Sequence, residues 1–144
     1  MKELKKRSIC PLSGSLDIFG DKWSLLIIRD LIFFNKNTYG DFLKSDEKIA
    51  TNILASRLQN LEENELILKL EHPESKAKVL YQLTPKAIDL VPVLVEVYLW
   101  SEKYFEIPTE IKTMIKSARK NKDEYIKSKM KELKKDIQVQ KIVT

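Results

Sequence analysis

Residues 51–84 read TNILASRLQNLEENELILKLEHPESKAKVLYQLT, and the hydrophobic period changes within them. From Thr51 the apolar residues Leu54, Leu58 and Leu61 recur at helical spacing and mark one buried edge. Asn52, Ala55, Ser56 and Gln59 point the other way. That outward face is small and polar, unusual for a solvated helix and suited to a groove. Leu66–Leu70 and Val79–Leu83 then read as two short strands, the second with β-branched and aromatic content. His72–Lys78 between them is a polar loop whose Lys76 and Lys78 give the hairpin a basic tip.

Upstream of this stretch, Thr38 can cap a short helix, Tyr39–Lys44, that buries Tyr39, Phe42 and Leu43. The turn Asn35-Lys36-Asn37 separates it from a helix that Asp21 can cap and that runs to about Phe34, with Trp23, Leu26, Ile27, Asp30 and Leu31 along one face. A first small helix over Leu16, Ile18 and Phe19 ends at Gly20. Downstream, Thr84-Pro85 starts a helix expected to continue through Phe105 and to end by Pro108, with Pro92 either kinking it or lying near its first turns. Its apolar residues cover much of its circumference, which one small domain rarely covers alone, so a partner subunit is expected. From Thr109 a single lysine-rich helix is expected. The resulting fold class is mainly α with a small β-hairpin: a winged helix-turn-helix with N- and C-terminal dimerisation helices. Residues 1–106 would form this domain and 107–144 a helical extension for dimerisation or packing.

Composition narrows the function classes. The 144 residues suffice for one core-bearing domain, and 43% hydrophobic with 33% charged residues places the chain among globular proteins. The net charge of +5 suits a polyanionic partner without requiring one. Cys10 is the one cysteine and His72 the one histidine, so no internal disulfide, cysteine-based zinc site or histidine cluster can form. No glycine-rich phosphate loop or nucleophile elbow occurs, and no enzyme, cofactor or metal is expected. The first twenty residues are basic but lack the apolar region of a signal peptide. The longest apolar stretch, Ala87–Trp100, is interrupted by Asp89, Pro92 and Glu96, too short and too polar to span a bilayer. A cytoplasmic protein is expected, with no membrane partner.

Specific residues add a resemblance. Cys10-Pro11, the run from Gly20 to Leu31 (GDKWSLLIIRDL), Thr38–Phe42 (TYGDF), Asn52-Ile53-Leu54, Arg57-Leu58, Leu61-Glu62-Glu63, Val79–Thr84 (VLYQLT) and Trp100 occur in that order over roughly residues 8–105. In them the chain resembles the HxlR-type, MarR-related bacterial regulators. It departs from them in having Glu65 where a glycine usually follows the recognition helix, and Asn64 is expected to take the left-handed conformation instead. Lys76 and Lys78 stand for the usual wing proline and arginine, and Ala87 for a later glycine. The resemblance implies a sequence-specific regulator of transcription, a repressor, that binds an inverted-repeat operator in double-stranded DNA as a homodimer. The alternative is a winged-helix module that binds only proteins, whose face should be more apolar and aromatic.

In helix-turn-helix docking the recognition helix enters the major groove, which makes Asn52, Ala55, Ser56 and Gln59 the base-reading candidates. Lys22, Thr38, Tyr39, Lys69, Lys76 and Lys78 are candidates for the DNA backbone or wing contacts. Arg57 lies nearer the core edge, to reach phosphate or to make a structural ion pair. The resemblance implies that Cys10 senses oxidants or electrophiles, with Lys5, Lys6, Arg7 and a helix start to favour the thiolate; the alternative is an inert packing cysteine. Trp23, Tyr81, Tyr98 and Trp100 read either as a pocket for a small-molecule effector or as core, and their helical spacing favours core. His72 stands alone on its loop.

Overall fold

The computed structural model describes residues 7–137. In chain order these form α1 (Pro11–Phe19), α2 (Ser24–Phe33), α3 (Tyr39–Leu43), α4 (Thr51–Glu63), β1 (Ile67–His72), β2 (Ser75–Leu83), α5 (Pro85–Ile88), α6 (Val91–Glu102), α7 (Thr109–Lys120) and α8 (Lys122–Ile137). Ile28, Leu54, Leu61, Ile67, Ile88, Val91 and Val95 are fully buried in one core that joins α2, α4, the hairpin, α5 and α6. Burying an aliphatic side chain of this size stabilises a fold by about 1.5–3 kcal/mol, so this cluster fixes α4 against α2. No helix among the described residues is long and apolar enough to cross a membrane.

The helix starts follow from short polar side chains. Thr38 accepts from the Asp41 N–H while Asp41 accepts from the Thr38 N–H, a reciprocal capping box at α3. Thr84 accepts from the Ala87 N–H at α5, next to Pro85 at the first helical position. The end of α4 is different from what the sequence suggests. Glu65, not Asn64, is the left-handed residue (φ 61°), and Asn64 stays at φ −86°. The Glu65 N–H donates to the Glu62 carbonyl and the Leu66 N–H to the Leu61 carbonyl, so one residue past the cap closes the helix. Leu66 and Leu61, joined by that hydrogen bond, are both buried in the core, and the bend at Glu65 brings Leu66 inward. A non-glycine residue in that region is held at a cost of about 1–2 kcal/mol. Glu65→Gly is therefore expected to raise stability by about 0.5–1 kcal/mol in urea unfolding; an unchanged midpoint would mean the turn carries no strain.

Four further elements depart from expectation. The strands extend to Ile67–His72 and Ser75–Leu83 around a two-residue turn, Pro73-Glu74, with a register shift at Glu71/His72. Lys76 and Lys78 thus lie on β2, not on a loop. The outer part of the ribbon stands beyond the core with Lys76, Ala77, Lys78 and Val79 all exposed, so no alternation of apolar residues announces it. Thr38 bridges Leu80, and the Tyr81 N–H donates to the Asn37 carbonyl, so the α2–α3 turn edges the hairpin. The helix expected from Thr84 to Phe105 is two helices, α5 and α6. Pro92, second in α6, has no N–H to continue the ladder from α5, and α6 ends at Glu102. The helix expected from Thr109 is also two, α7 and α8, divided at Asn121, whose backbone is extended (φ −153°, ψ 90°) and whose Oδ1 accepts from the Glu124 N–H. Tyr125, Ile126, Met130, Leu133 and Ile137 lay α8 on the core, and Arg119–Glu102 and Lys122–Glu96 ion pairs tie the C-terminal helices to α6.

Candidate nucleic-acid interface

α4 carries two chemically distinct faces. Leu54, Leu58 and Leu61 are buried, whereas Thr51, Asn52, Ala55, Ser56, Gln59 and Glu63 are exposed. All four residues expected to read bases therefore stand on one solvent-facing side. Thr51 and Glu63, at the two ends of that face, lie outside the set drawn from the sequence. The Gln59 Nε2 donates to Glu63 Oε1 at 3.2 Å, so this amide is oriented along the helix before any ligand arrives.

Beside α4, the hairpin and α3 form the flanks of a cleft. Tyr39 from α3, Ala55, Gln59 and Glu62 from α4, and Lys69 and Tyr81 from the hairpin line it. The Tyr39 hydroxyl donates to the Thr51 carbonyl at 3.0 Å, which holds α3 against the start of α4. Tyr81 is buried and tilted against Phe42, ring centroids 6.1 Å apart. Burial, then the nearby Glu62 and Tyr39, raise its phenol above the ordinary value, so it stays neutral. Lys69 reaches Glu62 at 3.7 Å. Thr38, Tyr39, Lys44 and Lys78 border a second opening between α3 and β2. Lys44 was not among the sequence candidates, although it closes the short helix read there. Lys76 and Lys78 are exposed on the ribbon. Lys22 is exposed at the entry to α2, its ammonium 4.7 Å from the centre of the Trp23 ring.

Arg57 is half-buried, its Nε 3.9 Å from Asp21 Oδ2. Of the two roles read for it, this geometry matches the structural ion pair. Asp21 also accepts from the Trp23 and Ser24 N–H groups, at 2.9 and 3.0 Å, and from the Ser24 hydroxyl. One carboxylate thus joins the start of α2 to the middle of α4. Burial opposes its ionisation, but the hydrogen bonds from Ser24 and Trp23 and the charge of Arg57 outweigh it and hold the carboxyl below its ordinary value. A folded-state pKa below the unfolded one adds stability above about pH 4 that is lost as pH falls through the folded value. Asp21→Ala is expected to cost about 1 kcal/mol at pH 7 and much less at pH 3 by urea unfolding; an equal loss at both would refute the role of the charge.

Cys10 is exposed and precedes α1 as its cap residue, without a side-chain capping bond. Lys5 and Lys6 lie outside the described residues. Arg7 does not stand free beside the thiol: it pairs with Asp17 at 3.3 Å and donates to the Ser13 hydroxyl. Trp23 packs against the core, Tyr81 lies in it, and Tyr98 meets Phe33 edge-on at 5.7 Å. Trp100 departs from the core expectation. It is 57% exposed, within a stripe of exposed Val93, Val97 and Trp100 along α6 that Tyr104 continues just past its end. His72 accepts at Nδ1 from the Glu74 N–H and helps shape the hairpin turn.

Comparison with known proteins agrees with this architecture. A family model described as HxlR-like helix-turn-helix matches residues 18–109. The chain is similar to the HTH-type transcriptional regulator YodB of Bacillus subtilis, with 31% identity over 69% of this chain and 88% of that one. It is also similar to the uncharacterized HTH-type transcriptional regulator YdeP of the same organism, with 34% identity over 66% and 73%. Among solved structures, PA1607 shares 41% identity at a TM-score of 0.63 over 72% of this chain and 71% of that one. The reduced form of YodB shares 28% at 0.56 over 69% and 97%. YodB has also been solved after diamide treatment, with 27% identity, a TM-score of 0.51 and coverage of 69% and 98%. Its quinone-bound form shares 26% at 0.53 over 67% and 100%.

Proposed function

The chain belongs to the HxlR-like helix-turn-helix family of transcription regulators, and from that premise we propose that it is a repressor that reads an inverted-repeat operator as a homodimer. The observation that carries this reading is the exposed face of α4. Asn52, Ser56 and Gln59 offer amide and hydroxyl groups, Ala55 offers a methyl group, and no large side chain hinders approach to base edges. Lys76 and Lys78 on the ribbon and Lys22 at α2 would meet phosphates on either side. Two-fold symmetry would place two copies of α4 one helical turn apart, or a multiple of it. The exposed apolar stripe of α6 is the surface we assign to the partner subunit. Residues 1–106 would serve as the DNA-binding unit, and 107–144 as its helical extension.

Selection of bound duplexes from a random pool tests the reading. Enrichment of an inverted repeat, bound by two protomers, is the expected outcome; an unsymmetrical site held by one protomer would overturn the dimeric architecture, and no enrichment would overturn DNA reading itself. Repression is tested with a reporter placed behind the selected operator.

Cys10 is proposed as the point where an oxidant or electrophile acts. Its exposure meets the requirement for reaction, and the relative YodB has been solved with quinone bound. Operator affinity of the wild type should fall after diamide or quinone, and that of Cys10→Ser should not. Equal responses would return Cys10 to a packing role.

A further inference from the structure

The excess positive charge of this chain lies almost wholly outside the winged helix. Residues 1–106 contain fifteen Lys and Arg against sixteen Asp and Glu, whereas residues 107–137 contain ten against five. Glu62 and Glu63 even lie on α4 itself, and Glu71 and Glu74 on the hairpin. Binding to a phosphate backbone draws its sequence-independent affinity from neutralising cations, and Lys22, Lys76 and Lys78 of the helix-turn-helix and wing supply it against a segment that carries no net positive charge. The basic helices α7 and α8 follow the segment that matches the family model, which ends at residue 109.

α8 places this charge in an ordered way. Ile126, Met130, Leu133 and Ile137 pack toward the core, and the flank beside them presents Lys127, Lys131, Lys134 and Lys135 at successive turns, all exposed, around an open groove that Ile126 and Met130 also line. No ion pair among the described residues engages these four. The acidic residues nearest that face, Asp123 and Glu124, sit in the first turn, so its charge grows toward the C-terminal end. That end meets the base of the hairpin: Leu133, Asp136 and Ile137 share a groove with Lys36, Asn37 and Gln82. Asn37 adjoins Thr38, which with Lys44 and Lys78 borders the opening between α3 and β2. A cation near a helix C-terminus is favoured by the helix dipole, which accounts for Lys134 and Lys135 but not for Lys127 and Lys131, two turns and one turn earlier.

We infer that the lysine face of α8 is a second DNA-contacting surface, which holds the phosphates of duplex flanking the operator without reading its sequence. The inference rests on the reading of α4 as the base-contacting helix. It assigns specificity to α4 and much of the salt-dependent affinity to a segment outside the winged helix.

The test compares wild type with Lys127→Ala/Lys131→Ala/Lys134→Ala/Lys135→Ala on the selected operator, as a minimal duplex and as one extended by about one helical turn on each side. Affinities are measured by fluorescence anisotropy across a salt series. On the extended duplex the variant should bind at least about a hundredfold more weakly at low salt, and the slope of log affinity against log salt should shrink by up to about 3–4 per protomer. On the minimal duplex the two proteins should agree, and base preference should be unchanged. The fourfold Lys→Arg variant should retain the wild-type slope. A double variant, Lys127→Gln/Lys131→Gln, leaves the last turn intact and should give about half the slope change if the fourfold variant fails to fold. Wild-type binding with an unchanged slope in the lysine variants would overturn this inference and leave the reading of α4 standing. Failure of the wild type itself to bind any selected duplex would overturn both.

Discussion

Trp100→Glu is expected to give a folded monomer whose operator affinity is about a hundredfold or more below that of the wild type. The stripe Val93, Val97, Trp100 and Tyr104 leaves large apolar surface in water, and Tyr104 and Phe105 pack around the Trp100 ring, at 5.2 and 5.9 Å between centroids. Burying one aromatic side chain stabilises an interface by about 1.5–3 kcal/mol, and two-fold symmetry counts each such residue twice. Replacing Trp100 by a carboxylate removes that gain in both protomers and adds the cost of burying two unpaired charges. The monomer should not notice, because the ring is 57% exposed and contributes little to the core of its own chain. Without the partner, the second half-site no longer binds at the high local concentration that linkage provides. Light scattering gives the mass, circular dichroism the fold, and anisotropy the affinity. A dimeric Trp100→Glu protein with wild-type affinity would place the interface elsewhere.

The legibility of this fold in sequence followed the hydrophobic period. Leu54, Leu58 and Leu61 marked the buried edge of α4 correctly, because each lies where the core demands an aliphatic side chain. The polar outward face of α4 was legible for the same reason, as the complement of that edge. Thr38, Asp21 and Thr84 act where their chemistry suggested. The errors fall where tertiary context overrides local pattern. Lys76 and Lys78 continue a ribbon that no core contact demands, so a strand looked like a loop. At the end of α4 the left-handed residue is Glu65 although asparagine takes that conformation more readily, and the bend there lets the Leu66 N–H reach the Leu61 carbonyl and Leu66 enter the core. Asn121 divides α7 from α8 within a lysine-rich run whose apolar residues alone suggest one helix. The roles of Arg57 and Arg7 turned on partners distant in sequence, Asp21 and Asp17, which no spacing rule pairs.

The two faces of α4 should separate under mutation. Leu54 is fully buried against α2, and Leu54→Ala removes that packing and leaves a cavity, at a cost of about 2–5 kcal/mol. For a domain of ordinary stability this is a large share of the total. Gln59 is exposed and, among the described residues, its side chain bonds Glu63 on the same helix, so Gln59→Ala should leave stability within about 0.5 kcal/mol of wild type. Its cost should appear on DNA instead, as a loss of about 1–3 kcal/mol confined to one base pair of each half-site. Leu54→Ala, at temperatures where it remains folded, should preserve base preference, since no atom of Leu54 faces the groove. Thermal unfolding combined with binding to single-base operator variants measures both quantities on the same proteins. If Gln59→Ala lost affinity equally for every sequence, Gln59 would contact backbone and the base-reading set would shrink to Asn52, Ala55 and Ser56. If Leu54→Ala altered the preferred base while fully folded, the two faces of α4 would be coupled, and the recognition helix would read DNA through its own packing as well as through its exposed side chains.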